Sequence, residues 1–387
     1  MKRQGHRIFV DELTRFAAGH ADPRVTAIAE RTAAPLRVAV RGRRGAGRGT
    51  VARGLQAAGE QATAGPAVAC EVLSAGGVEP GVEVIVHVVT EVIKPEDAEA
   101  IARSRQPVLV VLNKADLVGS LSGRTGDGPI VAARIRAADL SALVGVPVEP
   151  MIGSLAVTAC GGLDGGLWAA LRMLADHPDH PDHPDHPDHP DHPGHVDLFD
   201  LSCDGFLTAR STVPADVRLR LLETLHLFGT AIAVAAVRQG RTQAQVRVLL
   251  RRMSCVDAVL DALSAVGAEA RYRRVLDAVA ELEALAVGDE RIGGFLSRDD
   301  TVVARMAAAL DVAEAAGLEV DTPSADGRHT DGAAHLPRAV RWQRYSVGRM
   351  GPVSELHRAC GADIARGSLR LWSQACGSLP HQWGHAW

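Results

Sequence analysis

Leu36-Arg37-Val38-Ala39-Val40-Arg41-Gly42-Arg43-Arg44-Gly45-Ala46-Gly47-Arg48-Gly49-Thr50 decides the fold. Residues 36–40 read as a buried strand, 42–49 as a tight loop, and a helix is expected from about Thr50. Working downstream, 67–73 reads as a second short strand. Residues 82–90 read as a third, almost wholly apolar as a central parallel strand should be. A helix over 95–104 has Pro95 in its first turn, and 107–112 reads as a fourth strand. After a Gly-rich loop at 119–128 come a helix at 130–144, a strand at 154–158 and a helix at 163–175. Strands alternating with helices imply right-handed crossovers and a parallel sheet covered on both faces.

Upstream, 8–32 reads as one or two amphipathic helices leading to Pro35. Downstream the composition breaks: Asp-His-Pro recurs six times over 176–193, followed by Gly194-His195. Such a tract favours extended polyproline II and reads as a spacer, with any affinity of its histidines for Zn²⁺ or Ni²⁺ incidental. Beyond it the strand signal ends. Val246, Leu249, Met253, Val256, Leu260 and Leu263 recur at helical spacing, as do Val275, Val279, Leu282 and Leu285, so a helical bundle is expected. The expected organisation is a helical lead-in at 1–34, an α/β domain at 35–175, the repeat linker at 176–195, the bundle at 196–320, a loop at 321–337, and a basic helical segment at 338–387.

The 387 residues are 47% apolar but only 3% aromatic, so the core must be built mainly from Ala, Val and Leu. A net charge of -4 gives no general argument for a nucleic-acid partner. The six cysteines are scattered, which fits reduced thiols in a cytoplasm better than a disulfide framework. Asp11 and Glu12 precede any long apolar run, so no secretory signal is expected.

Two stretches carry candidate chemistry. In 42–49 the glycines let backbone N–H groups turn inward, and the following helix N-terminus adds a positive dipole, the arrangement that cradles phosphate. Gly42, Gly45, Gly47, Arg48, Gly49 and Thr50 are the candidate contacts. A phosphate loop of this kind wants Lys at 48 and Ser or Thr at 49 for Mg²⁺. This chain has Arg48 and Gly49, and Thr50 falls one position late. The alternative is a tight turn without a ligand.

The second stretch is Asn113-Lys114-Ala115-Asp116, at the C-terminal end of an apolar strand, where open α/β sheets place ligands. A carboxylate at 116 can accept from N1–H and N2–H of guanine, a donor pair that adenine lacks. Asn113 would brace the base and the phosphate loop, and the Lys114 stem would lie over the base. Asn113 is the only asparagine, and Lys114 is one of three lysines. Chance assembly of the pattern is on the order of one in a thousand. Thr158 and Ala159, read as ending a strand, are candidates for a loop that meets guanine O6.

Residues 36–175 resemble the G domain of translation-factor-like GTPases, and the helical remainder is similar in architecture to bacterial dynamin-like proteins. The resemblance implies a P-loop NTPase fold, bound GTP or GDP, and Mg²⁺. The chain departs from it in the switch regions. No Asp-x-x-Gly follows the second strand, where Leu73-Ser74-Ala75-Gly76-Gly77 stands, and Thr63 lacks a switch context. Guanine-nucleotide binding is therefore expected with slow or no hydrolysis, in a regulatory protein with a protein partner still to be identified. The alternative is a nucleotide-free scaffold for protein or membrane contact. Arg338, Arg341, Arg344, Arg349, Arg358, Arg366 and Arg370, set among Trp342, Tyr345 and Trp372, could provide a peripheral membrane face. The same pattern also suits a solvated helix face over buried aromatics.

Overall fold

A computed structural model of the chain describes residues 5–61, 68–72, 81–119, 128–176, 202–209, 211–320 and 332–377. The Asp-His-Pro tract beyond Asp176, the stretches holding Thr63 and 73–77, and the terminal residues 378–387 lie outside them. The chain divides into two compact units, Arg37–Leu263 and, discontinuously, Met1–Leu36 with Ser264–Trp387.

In chain order the elements are α1 (Gly5–Ala18), α2 (Pro23–Ala33), β1 (Leu36–Gly42), α3 (Arg48–Gln61), β2 (Val68–Val72), β3 (Val84–Val89), α4 (Pro95–Ala102) and β4 (Val108–Asn113). A 3₁₀ turn (Ala115–Leu117), α5 (Pro129–Val144), β5 (Val148–Met151), α6 (Gly153–Gly161) and α7 (Gly165–Ala175) follow. The remainder is helical: α8 (Cys203–Thr208), α9 (Ala215–Arg238), α10 (Gln243–Met253), α11 (Val256–Val266), α12 (Ala268–Ala286), α13 (Glu290–Ser297), α14 (Asp299–Ala315), α15 (Gly332–Ser346) and α16 (Glu355–Gly377).

The sheet has the order β2-β1-β3-β4-β5, and the pairs β1–β3, β3–β4 and β4–β5 are parallel. Every residue of β3 and β4 is buried, as expected for strands covered on both faces. Ala39, Ile85, Val89, Val110 and Leu112 pack with Ile101 of α4 and with Ala137 and Leu140 of α5. On the opposite face α3 packs against α6, with Gly54 lying against Met151 and Ala156. Because β2 and β3 flank β1 on opposite sides, the strand order reverses there. The carboxyl ends of β1 and β3 therefore form the crevice where such sheets hold ligands.

The expected strand at 154–158 is not a strand. The last strand is the four-residue β5, and 154–158 lies within α6. An apolar run of this length does not by its period distinguish strand from helix.

The helices after the repeat tract do not form one bundle. Leu221, Leu225, Phe228, Val234, Val246 and Leu250 of α9 and α10 share a core with Leu155, Leu167 and Leu171 of α6 and α7, so they belong to the α/β unit. In the other unit, Phe9, Leu13, Val25 and Ile28 of the lead-in helices are buried with Tyr272, Val279, Met306, Val312, Trp342 and Ile364. Buried Asp363 organises the polar part of that core. It accepts from Tyr272 Oη at 2.9 Å and from Arg305 at 2.8 Å.

Of the described helices, α9 alone is long and apolar enough to cross a membrane, and more than half of its apolar stretch is buried within the fold. A core helix meets the same length and composition limits.

Candidate functional site

The strand β1 ends at Gly42, whose φ of 138° is open to glycine. A Cβ there would also strike the Val88 carbonyl oxygen on β3. The loop turns through Gly45 and Gly47, at φ 85° and 87°. It closes with Ala46 N–H donating to the Arg43 carbonyl at 3.3 Å. Gly47 then leads straight into α3, as Thr50 and Val51 N–H both donate to its carbonyl, at 3.0 and 2.9 Å. The helix begins at Arg48, two residues earlier than its sequence suggests. Arg48 and Gly49 therefore lie in its first turn, where backbone N–H groups lack helical partners.

Asn113, at the end of β4, ties this loop to the rest of the crevice. Its Nδ2 donates to the Ala46 carbonyl at 2.8 Å, and its Oδ1 accepts from Gly153 N–H at 3.0 Å. The side chain is buried, so one carboxamide joins the loops that follow β1, β4 and β5. Gly47 is required by this contact as well as by its dihedral, because a Cβ on it would occupy the place of Asn113 Nδ2.

Lys114 takes the left-handed conformation at φ 60° and ψ 41°, starting the 3₁₀ turn that carries Asp116. The Asp116 side chain is 3% exposed. Its Oδ1 is buried with no hydrogen-bond partner. Its Oδ2 lies 3.4 Å from His226 Nδ1 of α9. An acceptor buried without a donor costs about 1–3 kcal/mol, so this carboxylate is an incomplete arrangement.

Thr158 and Ala159 do not join these residues. They lie in α6, where Thr158 Oγ1 donates to the carbonyls of Ser154 and Thr224, at 3.0 and 3.2 Å. The Ala159 carbonyl accepts from Arg247 Nε and Nη2, at 3.2 and 3.1 Å. Both fasten α6 to α9 and α10 and are withdrawn as base contacts. The residue after β5 that does face the site is Gly153, which the sequence reading missed.

Beside the Gly-rich loop, on the α4 side, is a cavity of about 480 Å³ lined in part by Arg41, Arg43, Arg44, Arg48, His87 and Asp97. His87 Nε2 lies 3.0 Å from Asp97 Oδ1, Arg43 Nε donates to Oδ2 at 2.9 Å, and Lys94 N–H donates to Oδ2 at 3.1 Å. Burial alone would raise the Asp97 carboxyl, but the hydrogen bonds from His87 and the Lys94 amide, with the Arg43 charge, hold it below the usual carboxylate range. A broader hollow of about 590 Å³ lies beside α5 and residues 145–150. It opens at the amino end of β5, away from the carboxyl edge where doubly wound sheets bind ligands.

The described residues do not fit Mg²⁺ as such phosphate loops hold it. Position 49 has no hydroxyl, and the Thr50 methyl lies against Gly153. Among the described residues no group of three His, Cys, Asp or Glu side chains could hold a metal ion. No protein-family model, curated protein or solved structure matches this chain.

Proposed function

We propose that the Arg37–Leu263 unit binds a guanine nucleotide on a P-loop NTPase-like frame, with occupancy rather than turnover as its output. The phosphates rest on the 42–49 loop and the first turn of α3, with Arg48 as counter-charge. Asp116 reads the base, and Asn113 keeps the base-reading turn in register with the phosphate loop. The observation that carries this reading is Asp116 Oδ1, a buried acceptor lacking a donor. It sits three residues past an asparagine that is hydrogen-bonded to the Gly-rich loop. A base edge with adjacent N–H groups supplies the missing donor, and a base without them leaves the carboxylate unsatisfied.

The residue set argues for binding without efficient hydrolysis. Phosphoryl transfer depends on positioning metal and water, and position 49 contributes no ligand. Titration of fluorescent GDP, GTP and ATP against the purified chain, with and without Mg²⁺, tests the reading. Guanine nucleotides are expected to bind with little dependence on Mg²⁺, and ATP is not. Asp116→Asn should shift preference from guanine toward xanthine, which presents an acceptor where guanine presents a donor. Absence of guanine binding at tens of micromolar would overturn the proposal.

Three arginines of α15 and α16 are engaged within their own unit. Arg338 is buried, with Nε donating to Ser368 Oγ at 2.8 Å. Arg366 and Arg370 pair with Asp363 and Asp299, at 2.9 and 3.4 Å.

A further inference from the structure

The carboxylate at the centre of the guanine reading has a neighbour which that reading does not use. Within α9, His226 departs from helical geometry, at φ 58° and ψ 178°. Side chains other than glycine's scarcely enter that region, and such a residue persists only where its surroundings enforce it. The surroundings here do so from both directions. Thr158 Oγ1 donates to the Thr224 carbonyl at 3.2 Å, and Thr230 Oγ1 donates to the His226 carbonyl at 2.7 Å. Gly229 is pressed so closely on Leu155 that a Cβ would collide with it. Gripped on either side of His226, α9 kinks and presents the imidazole to Asp116.

We propose that His226 is an internal competitor for the base-reading carboxylate, and that a guanine nucleotide binds by displacing it. The inference rests on the guanine reading above. Guanine offers two adjacent N–H donors to one carboxylate, so both oxygens of Asp116 are needed. At rest the arrangement is half filled, with Oδ2 facing His226 Nδ1 and Oδ1 without a partner. The base edge frees Oδ2, satisfies Oδ1 in the same step, and removes the contact that the kink serves. Relaxation of residue 226 then lets α9 close into a continuous helix. Nucleotide occupancy is thereby reported in α9.

His226→Gly is the informative substitution, because glycine accepts φ 58° and ψ 178° and so keeps the kink while removing the imidazole. Fluorescent GDP is titrated against the full-length wild type and His226→Gly, with Asp116→Asn as a control. The expected result is a Kd lowered about tenfold in His226→Gly, the gain that follows when a blocked state populated about nine parts in ten is abolished. Equal Kd values for wild type and His226→Gly would overturn the competitor and leave the guanine reading standing. No GDP binding by either protein would overturn the guanine reading and the competitor with it. Hydrogen exchange of the wild-type amides at 222–232, with and without GDP, gives a second readout. Slowed exchange on binding is expected, and unchanged exchange with GDP bound would overturn the displacement step.

Discussion

Asn113 shows what a single side chain contributes. Asn113→Ala would leave the Ala46 carbonyl and the Gly153 N–H buried without partners. With each costing about 1–3 kcal/mol, a total loss of roughly 2–6 kcal/mol is expected. Chemical denaturation of the Arg37–Leu263 unit should show that loss, together with weakened GDP binding. A second residue predicts a pH effect. Asp311 on α14 accepts from His6 N–H at 3.2 Å. Burial pushes its carboxyl up to about 6, against smaller opposing hydrogen bonds from the His6 and Gly5 amides. The folded chain therefore holds this proton more tightly than the unfolded chain. The penalty is absent below about pH 4 and complete above about pH 6. It amounts to at most about 3 kcal/mol, and nearer 1–2 kcal/mol for a half-buried group. Asp311→Asn keeps an acceptor and removes the charge. It should be more stable than wild type at pH 7, with the advantage gone by pH 4 in urea denaturation. His6 works in the opposite direction. Burial first, then Arg271 and Arg274, depress it to about 3, so its contribution is present above pH 6.5 and lost toward pH 3. Removing the Asp311 charge should thus steepen the acid limb.

Among residues, Asn113 and Asp116 stood out as candidates because a base-reading turn would constrain their spacing, and a chain with one asparagine makes the match conspicuous. Gly153 was not legible, since it contributes only a backbone N–H, which every residue but proline offers. The lone signal was a glycine just after a short apolar strand containing Pro150.

At the scale of elements, the strands β1, β3 and β4 announced themselves as short apolar runs bounded by turn residues, and the two helices at 5–33 by their period. Residues 154–158 did not, because their apolar composition suits either a buried strand or a helix wedged between α3 and α9. The kink in α9 has no sequence signal either, since histidine does not favour that backbone and tertiary contacts impose it. By contrast, the start of α10 is fixed by its own cap. Thr242 Oγ1 accepts from Gln245 N–H at 3.4 Å, and Gln245 Oε1 accepts from Thr242 N–H at 2.9 Å, a reciprocal cap. Thr242→Ala should lower stability by about 1 kcal/mol in thermal or urea unfolding. GDP affinity should be unchanged, because the cap touches none of the site residues.

For the whole molecule, the division into units was the least legible feature. Amphipathic helices state that one face must be buried but not against what, so α1 and α2 read equally well as a lead-in to the sheet. Likewise α9 and α10 differ little in period from α12 and α14, yet they complete a different core. Each unit having its own core, a ligand should stabilise only the unit that binds it. At a GDP concentration of 100 Kd the gain is about 2.7 kcal/mol. Calorimetry should show a transition of the Arg37–Leu263 unit moving upward with GDP while that of the other unit stays in place. Trp168 is the only tryptophan within 37–263, so in Trp168→Phe the fluorescence-detected transition should lose its response to GDP.

The discontinuous unit also sets an order of events during synthesis. Residues 5–33 leave the ribosome with Phe9, Leu13, Val25 and Ile28 ready for burial, but the helices that bury them begin only after Ser264. At roughly 5–20 residues per second, the nascent amino-terminal helices wait on the order of ten to forty seconds with apolar faces uncovered. Meanwhile the whole of the Arg37–Leu263 unit emerges and can fold in the interval. The proposed nucleotide site can thus form before the chain has closed its other core.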